Sequence, residues 1–279
     1  MSLSSFVPIA YRKHPPTPRR TLATACLFGV IALSAAASPF ALGQAPQVKE
    51  LRIAAAADLQ PVMPALAAAY EKEKGVKLIV SFASSATLTT QILNGAPMDL
   101  FLAADYSFPE QVVAAGLADG KAPTPYAKGT LVLWARKDSP VQPINGNTLS
   151  DDRAKSIAIA DEFHAPYGRA AAAALRTMKL YDSLKPKLVV AENIAQAGQF
   201  AESGNAQLGL ISLTLAESPH FKDVGTYVLI PSSQYPPILQ CAVVLAKSDR
   251  KAAAHDFLQW MLSSEVQGKL RSFGLAPVQ

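Results

Sequence analysis

From residue 51 onward, short apolar runs alternate with stretches whose apolar positions recur every three or four residues. Runs at 51–56, 76–82 and 99–103 read as strands, the last of them fully buried. Between the first two, Leu59, Val62, Met63, Leu66 and Tyr70 share one face at helical spacing. The stretch 87–93 and that from Phe108 to Gly116 follow the same rule. Gly75, Asn94-Gly95 and Gly116 supply the stops, and Pro109 suits a first helical turn. Three consecutive strand–helix units imply a mostly parallel sheet covered by helices on both faces. After Pro123-Thr124-Pro125-Tyr126 the pattern restarts, with strands at 131–135, 157–160, 188–191 and 208–213 and helices at 168–178 and 194–202. A second proline-rich crossing at 231–237 precedes a strand at 238–246 and two closing helices. Phe257, Leu258, Met261 and Leu262 mark the first of these, and Ser264-x-x-Gln267 reads as a capping box opening the second.

Two breaks and a helix-rich return predict an α/β protein of two lobes joined by two crossovers, each lobe a mostly parallel sheet flanked by helices. Residues 45–126 plus 237–279 form lobe I and 127–236 form lobe II. A ligand would sit between them, at the C-terminal ends of the strands.

Residues 1–43 stand apart. Arg12, Lys13, Arg19 and Arg20 precede an apolar run at 22–37, and Ala41-Leu42-Gly43 places small residues before Gln44. This is the pattern of a secretory signal peptide, which predicts a periplasmic protein; a membrane anchor is the competing reading. The leader also changes the charge. The whole chain has 26 basic and 21 acidic residues. Four of the basic ones lie in the leader, so the remainder is nearly neutral. Its Lys and Arg are scattered, which argues against a nucleic-acid partner. Of the two cysteines, only Cys241 lies beyond the leader, within an apolar run, and reads as a buried, inert thiol.

The informative chemistry is in four loops, each placed between a strand and a helix: Ala57-Asp58-Leu59-Gln60, Ser84-Ser85-Ala86-Thr87, His164-Ala165-Pro166-Tyr167-Gly168 and Glu192-Asn193-Ile194-Ala195. The first two are small, polar and free of Lys, Arg and His. Helix N-termini converging on one point bind an anion through free N–H groups and the positive dipole end. Ser84 or Ser85 can cap its helix and still offer a hydroxyl, while Tyr167 and Ile194 offer backbone N–H groups. Any one of these loops is more often an ordinary cap; four in one cleft favour a site. Asp58 is the awkward member, because a carboxylate repels a dianion. One resolution is that it turns aside as a local cap and gives only its N–H. With Pro61 and Pro64 present, the regular helix is expected to begin near Pro61.

The runs Ala55-Ala56-Ala57-Asp58-Leu59, Phe82-Ala83-Ser84-Ser85-Ala86-Thr87-Leu88 and Gly95-Ala96-Pro97-Met98-Asp99-Leu100-Phe101-Leu102-Ala103-Ala104-Asp105, with Leu208-Gly209-Leu210-Ile211, resemble the periplasmic molybdate-binding proteins of ABC transporters. The resemblance spans residues 48–279. It implies a two-lobed periplasmic binding protein, a monomer without cofactor, that captures molybdate or tungstate and delivers it to a membrane ABC permease. It also implies oxyanion contacts at Asp58, Ser85, Tyr167, Ile194 and Ser212. Asp58 stands where the best-known pattern has a serine hydroxyl, and Ser212 where it has a tyrosine phenol. Both changes remove or shorten donors.

Other readings are weaker. Ser85, His164 and Asp161 suggest a triad, but no Gly-x-Ser-x-Gly elbow surrounds either serine, so no enzyme is expected. His164, Asp161, Glu162 and Asp58 lack compact metal-ligand spacing. The nearest competitor is a binding protein for sulfate or a small organic acid. An organic acid favours an Arg clamp; the one Arg near the cleft, Arg169, is expected to point outward.

Overall fold

The structure is a computed structural model that describes residues 50–278; the leader expected at 1–43 lies outside them. In chain order the elements are β1 (Glu50–Ala56), α1 (Met63–Lys74), β2 (Lys77–Ala83), α2 (Ser85–Leu93), β3 (Leu100–Ala103), α3 (Ser107–Ala114) and β4 (Thr124–Gly129). There follow β5 (Leu131–Arg136), β6 (Ile157–Ala160), α4 (Pro166–Thr177), α5 (Tyr181–Leu184), β7 (Leu188–Ala191), α6 (Ile194–Glu202), β8 (Leu208–Ser212), α7 (Leu213–Ala216), α8 (Pro219–Val224) and β9 (Gly225–Leu229). Strand β10 (Ile238–Val244) and helices α9 (Lys251–Met261) and α10 (Ser264–Leu270) close the chain.

The strands form two five-stranded sheets, ordered β2-β1-β3-β10-β4 and β7-β6-β8-β5-β9. In each, the first three strands in that order (β2, β1, β3 and β7, β6, β8) are parallel, and two antiparallel pairings extend them on one side, so both sheets are mixed. The antiparallel member of the first sheet, β10, is the returning segment. Strands β3, β6 and β8 are buried along their whole length, as expected of continuous apolar runs covered on both faces. The chain passes between sheets at Thr130 and returns over 230–237. The two crossings touch where Leu131 N–H donates to the Tyr235 hydroxyl at 3.1 Å.

Two strands escape the sequence pattern. β4 falls on Pro123-Thr124-Pro125-Tyr126, which reads as a crossing because proline cannot donate to a ladder. It is an edge strand, where proline is tolerated. Its register against β10 shifts between Gln240 and Cys241, which pair with Ala127 and Pro125 and leave Tyr126 unpaired. β9 is one edge of the second sheet, with Leu229 exposed. The closing cap is also displaced. Ser263, not Ser264, caps α10, accepting from Val266 N–H at 3.4 Å. Gln267 instead ties α10 to β4, donating to the Tyr126 carbonyl at 2.9 Å. Helix α1 starts at Met63, two residues after the expected Pro61 and following a 3₁₀ turn over Ala57–Leu59; Pro64 has no N–H to bond the carbonyl of residue 60, as a start at 61 requires.

Candidate functional site

Three helices end their N-termini at one point between the sheets. α2 is capped by Ser84, whose Oγ accepts from Thr87 N–H at 3.1 Å. α6 is capped by Asn193, whose Oδ1 accepts from Gln196 N–H at 3.0 Å. α4 begins at Pro166 with no side-chain cap. Its close seating on β6 requires Gly168, since a Cβ there would run into the carbonyls of Ala160 and Asp161. First-turn N–H groups have no partner within their own helix, so Tyr167 and Ile194 present donors.

Asp58, Ser85, Tyr167 and Ile194 line one small cavity with Ala56, Ala57, Ala83, Ser84, Ala104, Ala165, Pro166 and Asn193. Alanines at the strand ends give a floor that a ligand can approach closely. No Lys, Arg or His lines it. The space left for the centre of a water is ≈ 10 Å³, about the room for one molecule. The cleft is therefore closed. Ala86 N–H donates across it to the His164 carbonyl at 3.2 Å, and Arg169 meets Asp105 at 2.8 Å while its guanidinium lies 5.5 Å over the Phe108 ring. Arg169 does point away from the cavity, as expected, but into a contact that bridges the cleft.

The two serines divide their roles. Ser84 is the helix cap. Ser85 Oγ accepts from Ala104 N–H at 3.1 Å, which leaves its own O–H to donate into the cavity. Ser85 makes no hydrogen bond to His164, whose ring pairs with Asp161 at 2.9 Å; the imagined triad is not assembled.

Asp58 does not turn aside as a cap. Its side chain is fully buried and receives the Gln240 amide on Oδ2, while Oδ1 has no hydrogen-bond partner among the described residues. Its carbonyl accepts from Thr214 Oγ1 at 2.7 Å. Burial pushes the Asp58 carboxyl up from 3.8 to about 7, against a smaller downward pull from Gln240 and Tyr167. Burial likewise raises the phenols of Tyr126 and Tyr167 well above their ordinary range, and the Asp58 charge adds to this. Tyr167 holds its phenol 3.4 Å from Gln240 Nε2, over Gly129, where a Cβ would collide with it.

Ser212 lies outside the cavity lining. It caps α7 and its Oγ sits 2.8 Å from Thr214 Oγ1, so it reaches Asp58 only through Thr214. Gln240 and Thr214 escaped the sequence reading. The signal for Gln240 was present: it is the one polar side chain in the apolar run Ile238-Leu239-Gln240-Cys241-Ala242-Val243, and a polar group on a buried strand needs a partner.

Residues 51–276 match the bacterial extracellular solute-binding protein family. The molybdate-binding protein ModA of Azotobacter vinelandii is 35% identical over 233 residues, covering 84% of this chain and 92% of that protein. ModA of Rhodobacter capsulatus is 34% identical over 225 residues, with 81% and 87% covered. The solved periplasmic molybdate-binding protein of A. vinelandii superposes with a TM-score of 0.77 at 31% identity, over 82% of this chain and all of that one. The fold, the length of the match and the identity together place this chain in the bacterial extracellular solute-binding protein family, alongside its molybdate-binding members.

Proposed function

We propose that the protein captures molybdate, and with it tungstate, between its two sheets in the periplasm and hands it to a membrane ABC permease. The observation that carries this is the convergence of the α2, α4 and α6 N-termini and the Ser85 hydroxyl on a cavity without a cationic side chain. Such a site suits an oxyanion, whose oxygens accept from N–H and O–H donors in several directions. About four to six charge-assisted hydrogen bonds at roughly 1.5–3 kcal/mol each support micromolar or tighter binding after the costs of closure. An organic carboxylate would be better served by an Arg fork, and Arg169 is engaged with Asp105 instead. Among the described residues no helix is long and apolar enough to cross a membrane.

Opening separates the Ala86–His164 and Arg169–Asp105 contacts and admits the anion. The anion then bridges Ser85 on one side and the α4 and α6 N-termini on the other. Because it contacts both sides only when they meet, it stabilises the closed form, and that difference in affinity drives closure. Isothermal titration calorimetry on residues 44–279 at pH 6 with molybdate, tungstate and sulfate tests the reading. The expected result is tight 1:1 binding of the first two, with sulfate at least about a hundredfold weaker. A folded protein that takes neither molybdate nor tungstate overturns it.

A further inference from the structure

Resting on the oxyanion reading, we propose that Asp58 is a proton-bearing donor in this site, so that capture of one dianion is coupled to one proton on its side chain, with Gln240 positioning the carboxyl. Four observations carry this. Asp58 is one of the residues lining the cavity, and its carboxyl is fully buried with Oδ1 unpartnered. Its other oxygen is held by the Gln240 amide, which leaves Oδ1 as the oxygen free to carry a hydrogen. The Asp58 backbone is pinned by Thr214 through its carbonyl, so the residue cannot swing out to solvent. Finally, the groups packed against it supply no positive charge. Tyr126 comes from β4, Tyr167 from α4, Gln240 from β10, and Thr214 with Ser212 from the α7 turn. All are neutral, and both phenols are held protonated.

An ionised carboxylate in that position would repel a bound dianion in a space with room for about one water and no lining cation to offer relief. The neutral acid turns the same residue into a donor. The proton balance is simple: Asp58 carboxylate, one proton from solution and the dianion give the neutral acid hydrogen-bonded to the bound anion. Burial already brings the carboxyl up to about 7 in this closed form, so part of the population is protonated near neutrality, before an anion arrives.

The apparent dissociation constant then scales with the inverse of the protonated fraction. Between pH 6 and pH 8.5 it rises by about 30-fold for molybdate, itself a dianion across that range. The experiment is calorimetric titration of wild type, Asp58→Asn and Gln240→Met with molybdate and with inorganic phosphate, at both pH values. Each titration is run in two buffers of different ionisation heat, which counts the protons taken up. Wild type is expected to weaken about 30-fold and to take up close to one proton per anion at pH 8.5. Asp58→Asn, always neutral and still a donor, should bind with pH-independent affinity and no proton uptake. Gln240→Met loses the amide that favours the ionised form, so its pH midpoint should move upward.

Intact wild-type binding at pH 6 with a flat pH profile and no proton uptake overturns the proposal and leaves the oxyanion reading standing. Preference for phosphate, which carries its own proton, over molybdate also overturns it, because Asp58 would then be an acceptor. A folded wild type that binds no anion at pH 6 overturns both. If Asp58→Asn fails to fold, the wild-type proton count alone decides.

Discussion

Replacing Ser85 by alanine separates binding from stability at this site. The hydroxyl does two things: it accepts Ala104 N–H at 3.1 Å and, in the proposed complex, donates to the anion. Ala104 is only 2% exposed, so its orphaned N–H destabilises the fold by about 1–3 kcal/mol. The lost charge-assisted bond weakens binding by about 1.5–3 kcal/mol, or roughly 10- to 150-fold. Ser84→Ala is the matched control. It removes the α2 cap, the 3.1 Å bond from Thr87 N–H, for about 1 kcal/mol of stability, and leaves the Ser85 hydroxyl in place. Thermal melts should fall by about 2–4 °C per kcal/mol for a chain of this size, in both variants. Calorimetry at pH 6, where Asp58 is mostly neutral, should show the large affinity loss for Ser85→Ala alone, with Ser84→Ala within about threefold of wild type. If Ser85→Ala binds like wild type, or Ser84→Ala loses as much, the hydroxyl is purely structural and the donor geometry is misassigned.

Arg169→Ala should weaken molybdate binding by about three- to tenfold, seen as faster release, because it removes a half-exposed ion pair and a cation–π contact that belong to the closed cleft; a loss beyond about a hundredfold would place Arg169 on the anion itself. Without ligand, Asp58 makes stability pH-dependent with a definite sign. Its folded value of about 7 exceeds 3.8, so its contribution is full below the lower value and is lost as pH rises through the upper one, by about 4 kcal/mol in total. The melting temperature of Asp58→Asn should therefore gain on wild type between pH 4 and pH 8, and a constant difference would contradict a buried, raised carboxyl. Cys241 is buried, and desolvation pushes its thiol up to about 12; the native protein should resist a disulfide reagent at pH 8 and react only on unfolding.

Hydrophobic pattern alone determined much of this protein. The continuous run Ile157–Ala160 and the helix Ile194–Glu202 lie where their residues predict them, since burial on both faces or on one stripe leaves few alternatives. The edge strands β4 and β9 were not legible, because an edge tolerates Pro125 and an exposed Leu229 and so lacks the signature of a buried strand. The four loops were visible as helix starts, and Ser85, Tyr167 and Ile194 could be named from them. Which serine caps and which faces the cavity depended on Ala104, nineteen residues further along, arriving to occupy Ser85 Oγ. The state of Asp58 was the least readable. A carboxylate in a sequence carries a charge by default; only the tertiary structure surrounds it with Tyr126, Tyr167, Gln240 and Thr214, drawn from four separate elements, and withholds both water and a cation. Desolvation is a property of what packs around a group, and no local spacing encodes it.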